Sequence, residues 1–264
     1  MPADAVFVKL GGSLLTDKTG HEELRPEILS RLSAEIAAAR AANPTLKLVL
    51  GHGSGSYGHV AGAKHGTRAG VAGPEQWFGF AEVADAAARL NRLVVAALLS
   101  AGVPAVGIAP SATARVSDGC ITYMEIASLR AALDADIVPV VFGDVAFDDV
   151  RGGTIVSTEE VIDYLATVLN VERLLLAGET AGVLNLQGQV IPLITRQNLP
   201  DVWPALGASR GTDVTGGMAS KVLAMLDLID SRPGLTVSIF SGLEPGLMGA
   251  LLTHSSQSAG TLLR

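Results

Sequence analysis

The sequence contains a single cysteine, Cys120, so no intrachain disulfide can form and a reducing compartment is expected. Its longest apolar run, residues 93–99, is far too short to span a bilayer. Basic residues number 19 against 26 acidic ones, and the net charge of −7 argues against nucleic-acid binding through bulk positive charge. No basic segment precedes the first apolar run, so we expect no signal peptide and a cytoplasmic location.

Two familiar nucleotide-binding signatures are missing or out of context. The P-loop pattern G-x-x-x-x-G-K-[ST] is absent. A G-x-G-x-x-G pattern does occur at Gly53, Gly55 and Gly58, but a dinucleotide fold needs an uninterrupted helix after these glycines and then a strand. Further glycines between residues 62 and 73 interrupt the following segment, and no strand is predicted before residue 75. Nicotinamide binding is therefore disfavoured.

The sequence does contain short apolar runs of strand length that alternate with segments of helical periodicity. The runs lie at residues 5–10, 46–50, 104–109, 137–142, 173–177 and 235–240, and the helical segments at 26–43, 75–101, 125–133, 159–170 and 218–229. Continuous Val, Ile and Leu runs are typical of parallel strands covered on both faces. The alternation predicts a three-layer α/β/α sandwich with a mostly parallel central sheet.

A predicted β-hairpin interrupts this alternation, with segments 145–147 and 154–156 flanking a turn at 148–153. The chain has no repeat, low-complexity tract or long linker. We therefore expect one domain over residues 1–264, in which any division near residue 170 separates two lobes of one shared sheet.

Two predicted strands run into glycine-rich turns. The first turn is Lys9-Leu10-Gly11-Gly12-Ser13, and the second, residues 51–59, ends in His59. Glycine lets backbone N–H groups approach a phosphate, and successive N–H groups form an anion-binding nest. Two such turns, one with a lysine and the other with a histidine, suggest a phosphoryl-transfer enzyme.

Each charged residue near these turns also has an ordinary interpretation. Lys9 would face the carboxyl edge of the sheet, where open α/β folds bind ligands, or would simply reach solvent. Lys18 is either part of the site or an ordinary loop charge. His59 either donates a charge-assisted N–H to a phosphate or is a common helix-start histidine. Asp144, after Gly143, is either a carboxylate of the site or a turn residue.

A third candidate phosphate site lies near the C-terminus. Gly216 and Gly217 precede the predicted helix that bears Lys221. Adjacent glycines before a helix expose N–H groups at the positive end of its dipole, which suits a phosphate. The alternative is a glycine turn followed by a surface lysine.

Taken in order, these motifs resemble those of the amino acid kinase superfamily. The string from Lys9 to Ser13, with Lys18, resembles its first motif, and residues 55–59 resemble specifically the isopentenyl phosphate kinase branch, where a histidine closes the glycine loop. Residues 138–145 and 212–218 followed by Lys221 match further motifs. The correspondence extends from about residue 6 to the C-terminus.

The resemblance implies a homodimer that phosphorylates isopentenyl phosphate with MgATP and binds neither nucleic acid nor membrane. It implies an acceptor lobe over about residues 1–170 and a nucleotide lobe over about 171–264. By the same resemblance, three lysines stabilise the transferring phosphoryl group and one carboxylate orients them; with the histidine, the catalytic set is Lys9, Lys18, His59, Asp144 and Lys221. The acceptor set is Ser54, Gly58, His59 and Gly143. The ATP set is Lys9, Gly11, Gly12, Ser13, Gly55, Glu179, Gly182, Gly216, Gly217 and Lys221, and no residue is assigned to a metal.

Two departures from the family pattern leave the adenine and ribose contacts open. Residues 157–159 are Ser-Thr-Glu where Ser-Gly-Asp is common, and residues 178–182 are Gly-Glu-Thr-Ala-Gly where Thr-Asp-Val-Asp-Gly is common. Two alternatives also stay open: a kinase of the same superfamily for another acceptor such as fosfomycin, and a non-catalytic nucleotide-binding relative. For an isoprenoid tail we expect one or two residues of an apolar set to line the pocket, namely Trp77, Phe78, Phe80 and Val83, with Ile137 or Val145 nearby.

Overall fold

The structure is a computed structural model that describes residues 5–17, 20–207, 217–254 and 259–264. Within these ranges the strands are β1 (Ala5–Leu10), β2 (Lys47–His52), β3 (Ala105–Ile108), β4 (Ala114–Ser117), β5 (Cys120–Met124), β6 (Val138–Phe142), β7 (Asp144–Asp148), β8 (Gly152–Val156), β9 (Val171–Gly178), β10 (Leu193–Ile194), β11 (Thr236–Ser241) and β12 (Thr261–Leu263). The helices are α1 (Gly12–Leu15), α2 (Pro26–Ala42), α3 (Gly55–His65), α4 (Gly73–Ser100), α5 (Pro110–Thr113), α6 (Ala127–Asp134), α7 (Thr158–Val168), α8 (Leu199–Gly207), α9 (Gly217–Ser231) and α10 (Leu247–Thr253).

The central sheet has eight strands in the order β10-β12-β11-β9-β1-β2-β6-β3. All neighbouring pairs from β11 to β3 are parallel, so the carboxyl ends of these strands meet at one edge, here called the carboxyl edge. β1 lies near the centre and pairs with both β2 and β9, which places Lys9 opposite Gly51 and Leu176. Strands from both halves of the chain thus belong to one sheet.

Helices cover both faces of this sheet. Neighbouring residues on β9 show the alternation, because Leu175 packs in a core with α1, α2, α4 and α10 while Leu174 packs in a core with α6, α7 and α9. Both cores are continuous and apolar, which explains why the strands are uninterrupted Val, Ile and Leu runs. The predicted three-layer α/β/α arrangement with a mostly parallel sheet is confirmed.

The predicted hairpin is present as β7 and β8, with Asp144 opposite Val156. It belongs to a second sheet, β5-β4-β7-β8, whose other hairpin was not predicted because its strands are only four and five residues long. Asp148 joins the two hairpins by accepting backbone N–H groups from Asp118, Gly119, Val150 and Arg151. Burial opposes ionisation of this carboxyl, but the four hydrogen bonds prevail and lower its pKa.

The helix α3 was also missed, because the glycines after residue 55 weaken its sequence pattern. The structure shows that only Gly58 and Gly62 follow Gly55 inside this helix, which stops at Gly66 in the left-handed conformation. Among the described helices, none combines the length and the apolar character that crossing a membrane requires.

Candidate active site

The two glycine-rich turns predicted from the sequence meet at the carboxyl edge. A Cβ atom on Gly12 would lie 2.4 Å from the backbone nitrogen of Gly55, so no side chain fits between the turns. Gly55 has a φ of +52°, and a Cβ atom there would lie 2.1 Å from the hydroxyl oxygen of Thr16. Glycine is therefore required at both positions, and the result is a double turn of bare backbone.

Lys9 lies beside this double turn and is almost entirely buried, with 8% of its surface exposed. Its Nζ atom donates to Oε1 of Glu159, a residue 150 positions away in the sequence and second in α7. Burying a lysine is costly unless its charge is paired, and this ion pair supplies the partner. The burial of Lys9 excludes the interpretation in which its side chain simply reaches solvent, and its part in the site stays a prediction.

Lys221, on α9, also acts on the Glu159 carboxylate. Burial opposes ionisation of the Glu159 carboxyl, but attraction by Lys9, the hydrogen bond from Lys9 and attraction by Lys221 together lower its pKa. The carboxylate therefore stays ionised at neutral pH, attracted by two cations. Lys9, Glu159 and Lys221 form a charged group that we call the lysine–glutamate cluster.

The start of α7 is positioned so that Glu159 can reach Lys9. Ser157 and Glu160 form a reciprocal capping box at its N-terminus. The hydroxyl of Thr158 donates to the backbone oxygen of His52 at 2.6 Å, which ties the helix to the end of β2. Residues 157–159, where the sequence departs from the family pattern, thus supply the carboxylate that pairs with Lys9.

On the predicted acceptor side, Ser54 precedes α3 and its side chain makes no capping hydrogen bond to that helix. Gly58 is buried beneath it, since a Cβ atom there would lie 2.5 Å from the Ser54 Cβ atom. His59 follows on the exposed surface of α3. These three residues lie on one stretch of chain that begins at the double turn.

Gly143 and Asp144 follow β6 at the same edge. The Asp144 carboxylate is buried and accepts backbone N–H groups from Ser111 at 3.0 Å and from Val145 at 2.8 Å. Burial raises its pKa, and the hydrogen bonds from Ser111 and Val145 only partly offset this. The carboxylate paired with Lys9 is that of Glu159, and the predicted role of Asp144 in orienting the lysines stays a prediction.

The nucleotide residues predicted from the resemblance are spread over three neighbouring segments. Gly11 donates to the backbone oxygen of Ala177 at 2.8 Å, and Ser13 is partly buried in α1. Gly217 begins α9 with a φ of +69° and open space where a Cβ atom would be. Gly182 differs, because it is buried against the hydroxyl of Thr261 and has no such space.

Glu179 directly follows β9 at the carboxyl edge and pairs with an arginine that the sequence did not single out. Arg25, just before α2, places Nη1 at 2.9 Å from the Glu179 Oε1 atom. Both side chains are about one third exposed. The pair links the start of α2 to the segment predicted to hold the nucleotide.

Two predicted site residues, Lys18 and Gly216, lie outside the described residues, as does the string 212–215. Three residues that contact predicted site residues or their neighbours were not singled out from the sequence: Glu159, Arg25 and His52. For Glu159 a signal existed, namely an acidic residue in the first turn of the helix that follows the predicted hairpin.

The family model described as the amino acid kinase family matches residues 4–241. The chain belongs to the amino acid kinase family. This match includes the glycine turns, both lysines of the lysine–glutamate cluster and the Asp144 segment. The resemblance predicted from the motifs is confirmed.

Curated relatives that match most of this chain include isopentenyl phosphate kinases. The enzyme of Haloferax volcanii is 38% identical over 98% of this chain and 98% of its own length. That of Methanocaldococcus jannaschii is 32% identical over 82% of this chain and 84% of its own length. A solved structure described as isopentenyl phosphate kinase superposes with a TM-score of 0.82 at 27% identity, covering 98% of this chain and all of its own.

Proposed function

We propose that this protein catalyses the transfer of the γ-phosphoryl group of ATP to isopentenyl phosphate, giving isopentenyl diphosphate and ADP. The observation that carries the proposal is the lysine–glutamate cluster beside the double glycine turn, which provides fixed cations and bare N–H donors at one edge of the sheet. The curated relatives named isopentenyl phosphate kinase support the choice of acceptor. They do not favour fosfomycin or a non-catalytic role.

The chemistry requires positioning and electrostatics more than proton transfer. Phosphoryl transfer passes through a loose transition state whose charge is spread over the peripheral oxygens. An acceptor that is already a phosphate monoester has an anionic oxygen near neutral pH, because its second pKa is about 6. It therefore needs little help from a general base, and the main task is to offset the repulsion between two anions.

The residues of the site divide this task. Lys9 on β1 and Lys221 on α9 face the transferring group, and Glu159 holds Lys9 in place between turnovers. The double turn at Gly12 and Gly55 offers bare backbone, whose N–H groups would accept the triphosphate. Ser54, Gly58 and His59 then receive the acceptor phosphate at the start of α3.

Magnesium would enter as part of the MgATP substrate, held by phosphate oxygens and water. Among the described residues there is no group of three His, Cys, Asp or Glu side chains that could form a separate metal site. In the bound state the ion would neutralise part of the charge on the β- and γ-phosphates.

The isoprenoid tail would bind near an apolar cluster beyond Ser54. Phe80 and Val83 on α4 pack there with Val71 and Val145, and Trp77 contacts the edge of Phe80 with ring centroids 5.2 Å apart. Phe78 points to solvent, with 68% of its surface exposed. Ile137 was wrongly placed near the tail, because it precedes β6 and so lies at the opposite edge of the sheet.

The function is tested by ADP release with ATP and a panel of acceptors. Isopentenyl phosphate is expected to be turned over with the highest kcat/KM, followed by close relatives of similar length, with fosfomycin and acetylglutamate far lower. Discrimination between neighbouring tail lengths should be modest, since one methylene contributes about 0.8 kcal/mol. Turnover of another acceptor in preference to isopentenyl phosphate would refute the proposal, as would ATP binding without turnover of any acceptor.

His59 is expected to act on the acceptor and not on ATP. Replacing it with alanine should raise KM for isopentenyl phosphate and lower kcat/KM about 10–100-fold, the range expected for one hydrogen bond to a charged group. His59→Gln keeps an N–H donor and should retain part of the activity. Exposed His254, at the end of α10, provides a control, and His254→Ala should behave as wild type. An unchanged acceptor KM in His59→Ala would assign this histidine no part in binding.

We further propose that the protein is a homodimer that acts in the cytoplasm. β3 is an edge strand of the central sheet and exposes Val106, and α4, which contacts β3, exposes Leu93 and Leu99. An unprotected edge beside apolar side chains is a surface that favours pairing with another copy. Light scattering after size exclusion should give the mass of a dimer, and Leu99→Glu should shift it towards the monomer; a monomeric wild type would refute this.

A further inference from the structure

A histidine with no part in the reaction outlined above is buried directly behind the glycine turn. His52 ends β2, and none of its surface is exposed. Its ring stacks on the ring of Phe142, with the ring centroids 5.6 Å apart and an interplanar angle of 6°. Both ring nitrogens have polar neighbours: Nδ1 lies 3.1 Å from the backbone oxygen of Gly53, and Nε2 lies 3.1 Å from Nδ2 of Asn91.

These neighbours assign the proton on the ring. A carbonyl oxygen can only accept, so Nδ1 of His52 carries the hydrogen and donates it to Gly53. Nε2 is then the acceptor for the Asn91 amide. Burial, which is the main cause, and the nearby charge of Lys9 lower the pKa of His52 to about 4, against the opposing bond to Gly53. The ring is neutral at physiological pH.

Asn91 is itself held in place on α4. It is buried, and a Cβ atom on Gly107 of β3 would lie 2.3 Å from its Oδ1 atom. The side chain therefore occupies space that any larger residue at position 107 would fill. Asn91, His52 and the Gly53 carbonyl form a fixed polar chain from α4 to the glycine turn.

The geometry of one peptide bond connects these hydrogen-bonded groups to the site. Among the described residues no peptide bond is cis, and in a trans peptide the C=O and the N–H point in opposite directions. The Gly53 carbonyl points inward to His52, so the N–H of Ser54 in the same peptide points outward, away from the buried ring. Ser54 is one of the residues proposed to hold the acceptor phosphate.

We propose that His52 is a positioning residue: through its Nδ1–H it fixes the Gly53–Ser54 peptide so that the Ser54 N–H faces the acceptor phosphate. The inference rests on the proposed function for the identity of that phosphate. Ordinary packing is a poorer explanation, because a buried polar ring costs free energy unless its polar atoms are satisfied, and an apolar side chain would fill the same space without that cost.

Three variants separate positioning from packing. His52→Phe keeps a ring but has no donor, and His52→Asn places an amide N–H near the position of Nδ1. Phe142→Leu disturbs the other face of the ring and leaves its hydrogen bonds intact. We expect His52→Phe to raise KM for isopentenyl phosphate at least 10-fold with little change in KM for ATP, and His52→Asn to restore most of the affinity. Phe142→Leu should lower the melting temperature without changing the acceptor KM.

Nuclear magnetic resonance gives a readout that does not depend on turnover. In histidine-labelled protein, the His52 ring should be neutral with its hydrogen on Nδ1 between pH 5.5 and 8, a window above the value of about 4. The Ser54 amide should shift on addition of inorganic phosphate in the wild type and not in His52→Phe. If isopentenyl phosphate is not a substrate but these signals are found, the proposed function fails and the positioning role stands.

Two results would overturn the inference. One is a hydrogen on Nε2 in the wild-type protein. The other is a His52→Phe variant that folds and retains the wild-type acceptor KM and the phosphate-dependent Ser54 shift. If His52→Phe does not fold, His52→Asn decides the question. This variant restores a donor, so absence of the Ser54 shift together with a raised acceptor KM would equally contradict the role.

Discussion

Lys9→Ala is expected to lower kcat about 10²–10³-fold, which corresponds to about 3–4 kcal/mol of lost transition-state stabilisation. The reason is geometric, since Lys9 projects from the centre of the sheet, is buried beside the double glycine turn and is held there by Glu159. A preorganised cation in a partly dry site stabilises developing charge far more than a mobile surface lysine. Steady-state kinetics with ATP and isopentenyl phosphate measure the effect.

Lys47 provides a matched control for Lys9. It lies on the neighbouring strand β2 but at the opposite edge of the sheet, where its Nζ atom donates to the backbone oxygen of Leu133. Lys47→Ala removes the same charge from the same sheet and should leave kcat unchanged. Melting temperatures of both variants show whether the fold persists. If folded Lys9→Ala turned over as fast as Lys47→Ala, Lys9 would have no part in the reaction.

Lys221→Ala is expected to have an effect of similar size, a loss of about 10²–10³-fold in kcat. Lys221 lies on α9, and its charge helps to lower the pKa of Glu159, so it shares the carboxylate with Lys9. Because the two lysines act on one carboxylate, both are expected to interact with a phosphoryl group bound beside it. The loss should appear mainly in kcat, because the contact strengthens as charge develops in the transition state.

Lys64 is the comparable control for this second variant. It lies on α3, is exposed and pairs with Glu82. Lys64→Ala should therefore keep wild-type kinetics. A Lys221→Ala enzyme that lost ATP affinity but kept kcat would show that Lys221 binds the nucleotide without stabilising the transition state.

The regular part of the fold was predictable because buried parallel strands have a strong sequence pattern. The run at residues 5–10 became β1 with the same bounds, and the helix predicted at 159–170 became α7, Thr158–Val168. Short or glycine-containing elements were not predictable. The β4 and β5 strands have few residues to show a period, and α3 contains two glycines after its first residue.

The sequence singled out the glycines and lysines of the candidate site but not the pairings of its side chains. Lys9 was assigned to the site from its position at a strand end. Its partner Glu159 is 150 residues away, and in the sequence it was noted only as part of a departure from the family pattern. Register and helix placement decide which carboxylate meets the lysine, and neither can be obtained from the sequence of one segment. The same holds for His52, whose role depends on Asn91 and on the direction of one peptide bond.

The most direct test of the account is a crystal structure with a non-hydrolysable ATP analogue, magnesium and isopentenyl phosphate bound together. The account predicts the γ-phosphate against the double turn of Gly12 and Gly55, with Lys9 and Lys221 contacting it, and the acceptor phosphate in line with it at Ser54 and His59. A complex with the two phosphates apart, or with the γ-phosphate away from both lysines, would contradict it.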